Sequence, residues 1–270
     1  MNYSKELDTA KQAAYEASEI IKKYASEGFN IELKGKNDLI TQADVASEKA
    51  IISVISEAYP NDLFLAEEST GVVQLTNERT WIIDPIDGTT NFAHGFPVYC
   101  ISIALWEDQK PKVGLVYQVA GDELFYATEQ SGAFLNNNPI SVSNEVHMKN
   151  SLIGTGFPYK SLNLVDDYLA LFKTFMDKTH GVRRPGSAAY DLCCVAAGRF
   201  EGFYEYGLNA WDVAAGSLIV QEAGGMITDW RGESNWLFGE RIIAGNASIH
   251  AKIKEEIQLH FKESDWAIDN

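Results

Sequence analysis

The chain has 270 residues, 46% of them hydrophobic and 22% charged, which is the balance of an ordinary folded protein with length for one large domain or two small ones. A formal charge of −16 excludes broad nucleic-acid binding, which relies on stripes of Lys and Arg, and no apolar run approaches the roughly 20 residues needed to span a bilayer. Three cysteines, two of them adjacent (Cys193 and Cys194), make no disulfide framework, and the first residues lack the basic and apolar segments of a signal peptide, so a cytoplasmic protein is expected.

Residues 4–26 place Leu7, Ala10, Ala14, Ala17, Ile21 and Tyr24 on one helical face, with Gly28 as the stop. Lys34-Gly35-Lys36-Asn37-Asp38 reads as a polar, basic turn. A second helix is predicted from about Thr41 to Glu57, closed by Pro60, and Thr41-Gln42-Ala43-Asp44 reads as a capping box with Asp in place of Glu. Short buried strands follow at Leu63–Ala66, which ends at Glu67-Glu68, and at Trp81–Ile83, which ends at Asp84. Strands near Tyr99–Trp106, Val113–Gln118 and Glu123–Thr128 predict an antiparallel meander. From about Ser151 the pattern alternates: strands fit Ser151–Gly154, Phe200–Glu205 and Ile242–Ala244. Helices fit Leu164–Asp177, Ser187–Ala197, Val213–Ala223 and a last one from Ser248. No linker or internal repeat separates the halves, about 1–148 and 149–270, so layers of α and β structure sharing one fold unit are expected over 1–270.

One run carries chemistry: Trp81-Ile82-Ile83-Asp84-Pro85-Ile86-Asp87-Gly88-Thr89-Thr90-Asn91-Phe92. It brings two carboxylates three residues apart, with Pro85 stiffening the backbone between them and no His or Cys nearby. Two acids that close repel each other unless a cation sits between them, and all-oxygen donors select a hard ion such as Mg²⁺, Mn²⁺ or Ca²⁺. Gly88, Thr89 and Thr90 then offer backbone N–H and hydroxyl groups to a phosphate. Asp-Pro and Asp-Gly pairs are also common turn formers, so the run needs its context. Other templates fail: there is no G-x-S-x-G elbow, no Walker loop and no C-x-x-C pair. Gly154-Thr155-Gly156 lacks the third glycine of a dinucleotide fingerprint and reads as a bend after a strand. Cys193 and Cys194 fit core packing, and His94 fits a structural hydrogen bonder.

The run resembles the signature of the inositol monophosphatase family, and a second family motif appears in order downstream, Trp211-Asp212-Val213-Ala214-Ala215-Gly216 continuing to Glu222-Ala223-Gly224-Gly225. The resemblance covers most of the chain. It implies a five-layer α-β-α-β-α sandwich of the inositol monophosphatase/fructose-1,6-bisphosphatase type, with a metal site where the halves meet. It implies Mg²⁺ as cofactor, Mn²⁺ as a substitute, and Ca²⁺ and Li⁺ as inhibitors. The ligands by resemblance are Glu67, Asp84, the Ile86 carbonyl, Asp87 and Asp212. Adjacent acids cannot both enter a site from an extended strand, and the resemblance assigns the role to Glu67 over Glu68. Asp212 reads equally as a helix N-cap, and Asp44 as a capping residue.

The resemblance further implies that water attacks phosphorus in line, with Asp44, Glu67 and Thr89 in catalytic roles. Substrate contacts by resemblance are Asp87, Gly88, Thr89, Ser187, Ala188, Glu205 and Asp212, with Glu205 accepting from ring hydroxyls. Arg183 and Arg184, just upstream, would meet a second phosphate, and Lys36 would close near a third ion; surface solvation is the alternative for all three. The expected reaction is hydrolysis of inositol monophosphate or a similar polyol or sugar phosphate. Fructose-1,6-bisphosphate, a 3′(2′),5′-bisphosphate nucleotide, histidinol phosphate and NADP⁺ are alternative substrates. Partners expected are a small phosphorylated molecule and a second copy of the chain, with no membrane or direct nucleic-acid binding; association with the transcription machinery is the alternative of another class.

Overall fold

Helix α1 (Ser4–Glu27) buries Ala10, Ala13, Ala14, Ala17 and Ile21 along one stripe, as its 3.6-residue pattern requires. The computed structural model to which it belongs describes residues 3–35, 38–69, 74–159 and 161–262. Strands β1 (Ile31–Gly35) and β2 (Asp38–Thr41) pair as an antiparallel ribbon, so the polar stretch 34–38 joins two strands; Lys36 and Asn37 lie outside the described residues. Helix α2 (Gln42–Ala58) follows, and its capping box forms as its sequence predicts.

Seven strands then make one sheet in chain order: β3 (Leu63–Ala66), β4 (Thr80–Asp87), β5 (Cys100–Glu107), β6 (Lys110–Gln118), β7 (Glu123–Thr128), β8 (Ala133–Leu135) and β9 (Asn138–Ile140). β3 is parallel to β4 and every other pair is antiparallel, which is the expected meander extended by two short strands. A short helix α3 (Thr89–Ala93) links β4 to β5. In the second half β10 (Leu152–Thr155), β11 (Gly181–Arg183), β12 (Gly202–Tyr206), β13 (Met226–Thr228) and β14 (Arg241–Gly245) form a five-stranded sheet in the order β11-β10-β12-β14-β13. Its helices are α4 (Val165–Lys178), α5 (Ala188–Ala196), α6 (Ala210–Glu222) and α7 (Ala247–His260).

Alternation along the strands divides the apolar residues among three cores, because successive side chains of a strand face opposite sides. Trp81 and Ile83 pack with α1 and α2, whereas Ile82 between them packs with α5 and α6. Phe203, Ile242 and Ala244 reach the same α5–α6 layer from the other sheet, while Tyr204 and Ile243 pack with Tyr168, Leu171 and Phe175 of α4 and Ile249 and Ile253 of α7. The order is therefore α1/α2, seven-stranded sheet, α5/α6, five-stranded sheet, α4/α7: the five-layer α-β-α-β-α sandwich. Two glycines allow the middle layer its close approach. A Cβ on Gly114 of β6 would lie 2.6 Å from the Ala215 carbonyl oxygen, and one on Gly216 would lie 2.7 Å from the Leu192 side chain. Cys193 and Cys194 are buried free thiols in this layer, as core packing requires. Among the described residues no helix is long and apolar enough to cross a membrane.

One boundary differs in a way that matters. α6 begins at Ala210, not Val213, because Asn209 is the N-cap and Asp212 the third helical residue of a capping box. Asp212 is therefore not the N-cap that its position before Val213 suggested.

Candidate active site

Strand β4 should send Asp84 and Asp87 to opposite faces, since they are an odd number of residues apart. It does not, because the β4–β5 register breaks between these two residues, at Pro85-Ile86. A bulge of this kind re-aims side chains, and here it lets both acids turn the same way. Asp84 Oδ1 accepts from the Ile86 N–H at 2.9 Å, which fixes the kink. The C-terminal end of β4 and the first turn of α6 then meet. Carboxylate oxygens of Asp84, Asp87 and Asp212 all lie within 4.8 Å of one another.

Burial first, and then the neighbouring acids, hold Asp84 and Asp212 well above the usual carboxylate range. Burial raises Asp87 to about 6, against the opposing pull of its hydrogen bonds from Ser187 and Ala189. Glu67, just past β3, lies close enough for its charge to raise both Asp84 and Asp212. Three oxygen-donor acids crowded this closely fit a hard divalent cation, whose charge would offset both their burial and their mutual repulsion.

The beginning of α2 contributes Asp44, which is fully buried. Its Oδ2 accepts from Thr41 N (2.8 Å) and Thr41 Oγ1 (2.5 Å), and its Oδ1 accepts from Thr89 Oγ1 at 3.1 Å. The capping role and the Thr89 contact thus coexist on separate oxygens. Thr89 Oγ1 also lies 2.9 Å from the Ile86 carbonyl oxygen. A hydroxyl has one proton, so it donates to Asp44 or to Ile86 but not to both. Gly88, in the left-handed region at φ 97°, starts α3, and a Cβ there would lie 2.9 Å from the Val98 carbonyl oxygen and 3.2 Å from that of Gly186. Asn91 Nδ2 fastens the same two segments by donating to Val98 O (2.7 Å) and Pro185 O (2.9 Å).

Ser187, expected at the ring, also binds within the site. Its hydroxyl donates to Asp87 Oδ2 at 2.8 Å, and the Ala189 N–H donates to the same oxygen at 2.7 Å. Asp87 therefore caps the N-terminus of α5 from the other sheet, where a negative charge is favoured. Ala188 is buried beside it. Glu205, on β12, lies near enough to feel Asp87, and burial raises its carboxyl to about 8 while Arg184 opposes the shift. Arg183 is not the arginine brought to this pocket. Its guanidinium donates back to the Val182 carbonyl at 3.0 Å, because alternation on β11 turns it away. Arg184 lies over the Tyr159 ring and acts electrostatically on Glu205 and Asp191. His94 is an exposed C-cap of α3 and takes no part. Lys36 lies outside the described residues.

Two further residues, Cys100 and Asp191, stand at the site. Cys100 Sγ lies 3.2 Å from Ser187 Oγ and 3.9 Å from Asp87 Oδ2, packing the side of that carboxylate. Asp191 on α5 is buried with neither carboxyl oxygen hydrogen-bonded, and burial, then Glu205 and Asp87, hold it well above the usual range. A Cys inside a strand pattern and an Asp inside a helix pattern carry no local signal of such placement.

A model of the inositol monophosphatase family matches residues 2–263. The inositol monophosphatase of Dictyostelium discoideum is 42% identical over 240 residues, 87% of this chain and 88% of the relative. The Nus factor SuhB of Pasteurella multocida is 39% identical over 254 residues, 93% of this chain and 95% of the relative. The solved structure of inositol monophosphatase from Anabaena (Nostoc) sp. superposes with a TM-score of 0.87 at 37% identity, covering 98% of this chain and all of that one (100%). The family model and these relatives span nearly the full length, and the chain belongs to the inositol monophosphatase family, a family of metal-dependent phosphatases.

Proposed function

We propose that the protein hydrolyses inositol monophosphate or a similar polyol or sugar phosphate, with Mg²⁺ held by Glu67, Asp84, the Ile86 carbonyl, Asp87 and Asp212. The observation that carries this reading is the convergence of three acids within 4.8 Å at the meeting of the two halves, Asp84 and Asp87 buried and Asp212 half-buried. A bound divalent ion would supply Lewis-acid stabilisation of phosphate charge and lower the pKa of an attacking water. The chain's residues handle the proton and the leaving group. Thr89 Oγ1, with its proton given to Asp44 Oδ1, has a lone pair free to take a hydrogen bond from the attacking water and so orient it in line. Asp44 is buried and fixed by Thr41, so it holds that threonine in one rotamer. Gly88 and Thr89 offer N–H groups to the phosphate. Glu205 accepts from hydroxyls of the leaving alcohol, and wherever it is ionised it disfavours a second phosphate there.

The test is phosphate release from inositol phosphates, sugar phosphates, 2′-AMP, 3′,5′-bisphosphorylated adenosine and NADP⁺. Activity should vanish on exhaustive chelation, return with Mg²⁺ or Mn²⁺, and fail to return with Ca²⁺; Li⁺ should inhibit. Full turnover in metal-free protein would sink the reading. A homodimer in the cytoplasm is the setting we propose. The Nus factor name of the Pasteurella relative favours a second reading, association with the transcription machinery. Retention of purified transcription complexes by an Asp87→Asn bait would support it, because that bait cannot act through turnover.

A further inference from the structure

The bend Gly154-Thr155-Gly156 at the end of β10 has a role beyond turning the chain. A Cβ built on Gly156 would lie 1.7 Å from Glu205 Oε1, 2.0 Å from its carboxyl carbon and 2.5 Å from Oε2. The whole carboxyl group of Glu205, and not its aliphatic stem, therefore occupies the place a side chain at 156 would take. Gly156 is not in the left-handed region, so backbone conformation does not demand a glycine here. Space does.

Neither backbone can give way easily. Thr155 pairs with Tyr204 in the parallel ladder, and its buried hydroxyl lies 3.1 Å from the Gly156 carbonyl oxygen and 2.9 Å from Tyr168 Oη. Glu205 pairs with Ile242 on the other side of β12. Only the χ angles of Glu205 remain free to move. Around its carboxyl stand Arg184, which favours its charge, Asp87, which opposes it, and the buried Asp191 of α5.

We propose that Gly156 is a specificity-determining position: the lack of a side chain there seats the Glu205 carboxyl at the alcohol end of the site, and so sets the preference for a hydroxyl-bearing leaving group. The inference rests on the reading of Glu205 as the acceptor of ring hydroxyls. Gly156 touches no reacting atom and acts through Glu205 alone.

The experiment is a double-mutant cycle of Gly156→Ala and Glu205→Ala, read on myo-inositol 1-phosphate and p-nitrophenyl phosphate with Mg²⁺, with the melting temperature of every variant. Gly156→Ala should lose roughly 5- to 30-fold in kcat/KM on the inositol phosphate, mostly through KM, the scale of weakened hydrogen bonds to a charged group. On p-nitrophenyl phosphate, which has no ring hydroxyls, the loss should be at least about fivefold smaller. In the Glu205→Ala background the alanine at 156 should change neither substrate by more than about twofold, because nothing is left to displace. If Gly156→Ala alone does not fold, recovery of the wild-type melting temperature by adding Glu205→Ala supports the shared space, and persistent unfolding overturns it. A damaged Glu205→Ala with an unaffected Gly156→Ala overturns the role of Gly156. An unaffected Glu205→Ala overturns instead the ring-hydroxyl reading, and the specificity role falls with it; the melting temperatures then still tell whether 156 and 205 compete for one space.

Discussion

Asp87 joins two tasks in one side chain. Its Oδ2 takes the hydrogen bonds of Ser187 and Ala189, which hold the start of α5, while its charge belongs to the three-acid cluster. Asp87→Asn separates them. The amide oxygen can accept the same two hydrogen bonds, so circular dichroism and melting in the metal-free protein should stay near wild type. Loss of the charge should lower kcat by roughly 10²-fold or more, the scale seen when a preorganised electrostatic group is removed. Near-normal turnover in a folded Asp87→Asn variant would refute its place at the ion. At this scale the acids of the two motifs were legible because their spacing is local. The tie of Ser187 to Asp87 and the place of Asp191 at the site are not legible, because each depends on a partner about 100 residues or one sheet away.

Helices α2 and α6 open with the same device, a capping box whose third residue, Asp44 or Asp212, also belongs to the site. A side chain held by its own helix end has little rotamer freedom left, which suits a group that must stay aligned. Thr41→Ala and Thr89→Ala tell the helix role from the proton-handling role of Asp44. Thr41→Ala removes the N-cap hydroxyl and should cost about 1 kcal/mol in denaturant unfolding. It leaves Asp44 its bonds from Thr41 N and Thr89 Oγ1, so kcat should fall only several-fold. Thr89→Ala should do the reverse, with little loss of stability and roughly 10²-fold lower kcat at nearly unchanged KM. Equal kcat losses in the two variants would remove Thr89 from proton handling. Long amphipathic elements such as α1 and α4 were legible from periodicity. The three-residue strands β8, β9, β11 and β13 were not, since so few residues show no period; nor was the true start of α6, which is apolar all round because both its faces are buried between sheets.

At the scale of the whole molecule, the buried acids make stability depend on pH and on the ion together. Asp87, Glu205, Asp84, Asp212 and Asp191 all have folded-state pKa values raised above their ordinary 3.8 or 4.5, so between the two values the folded chain binds more protons than the unfolded one. Their contribution is complete below the unfolded pKa and is lost as pH rises through the folded values, about 6 for Asp87 and about 8 for Glu205. The metal-free protein should therefore melt at progressively lower temperature as pH is raised from about 5 to about 8. A divalent cation binds the ionised acids, so Mg²⁺ should raise the melting temperature more at the upper end of that range than at the lower. Asp87→Asn should reduce the metal-free slope between its ordinary 3.8 and about pH 6, and Glu205→Gln should reduce it over the longer range from 4.5 to about pH 8, so only the Glu205 variant should change the slope above about pH 6. Differential scanning calorimetry in chelator and in Mg²⁺ measures all of this. A metal-free melting temperature that rises with pH across this window would show that the acids are not crowded and dry as described, and the cation would then lose its role in offsetting their repulsion.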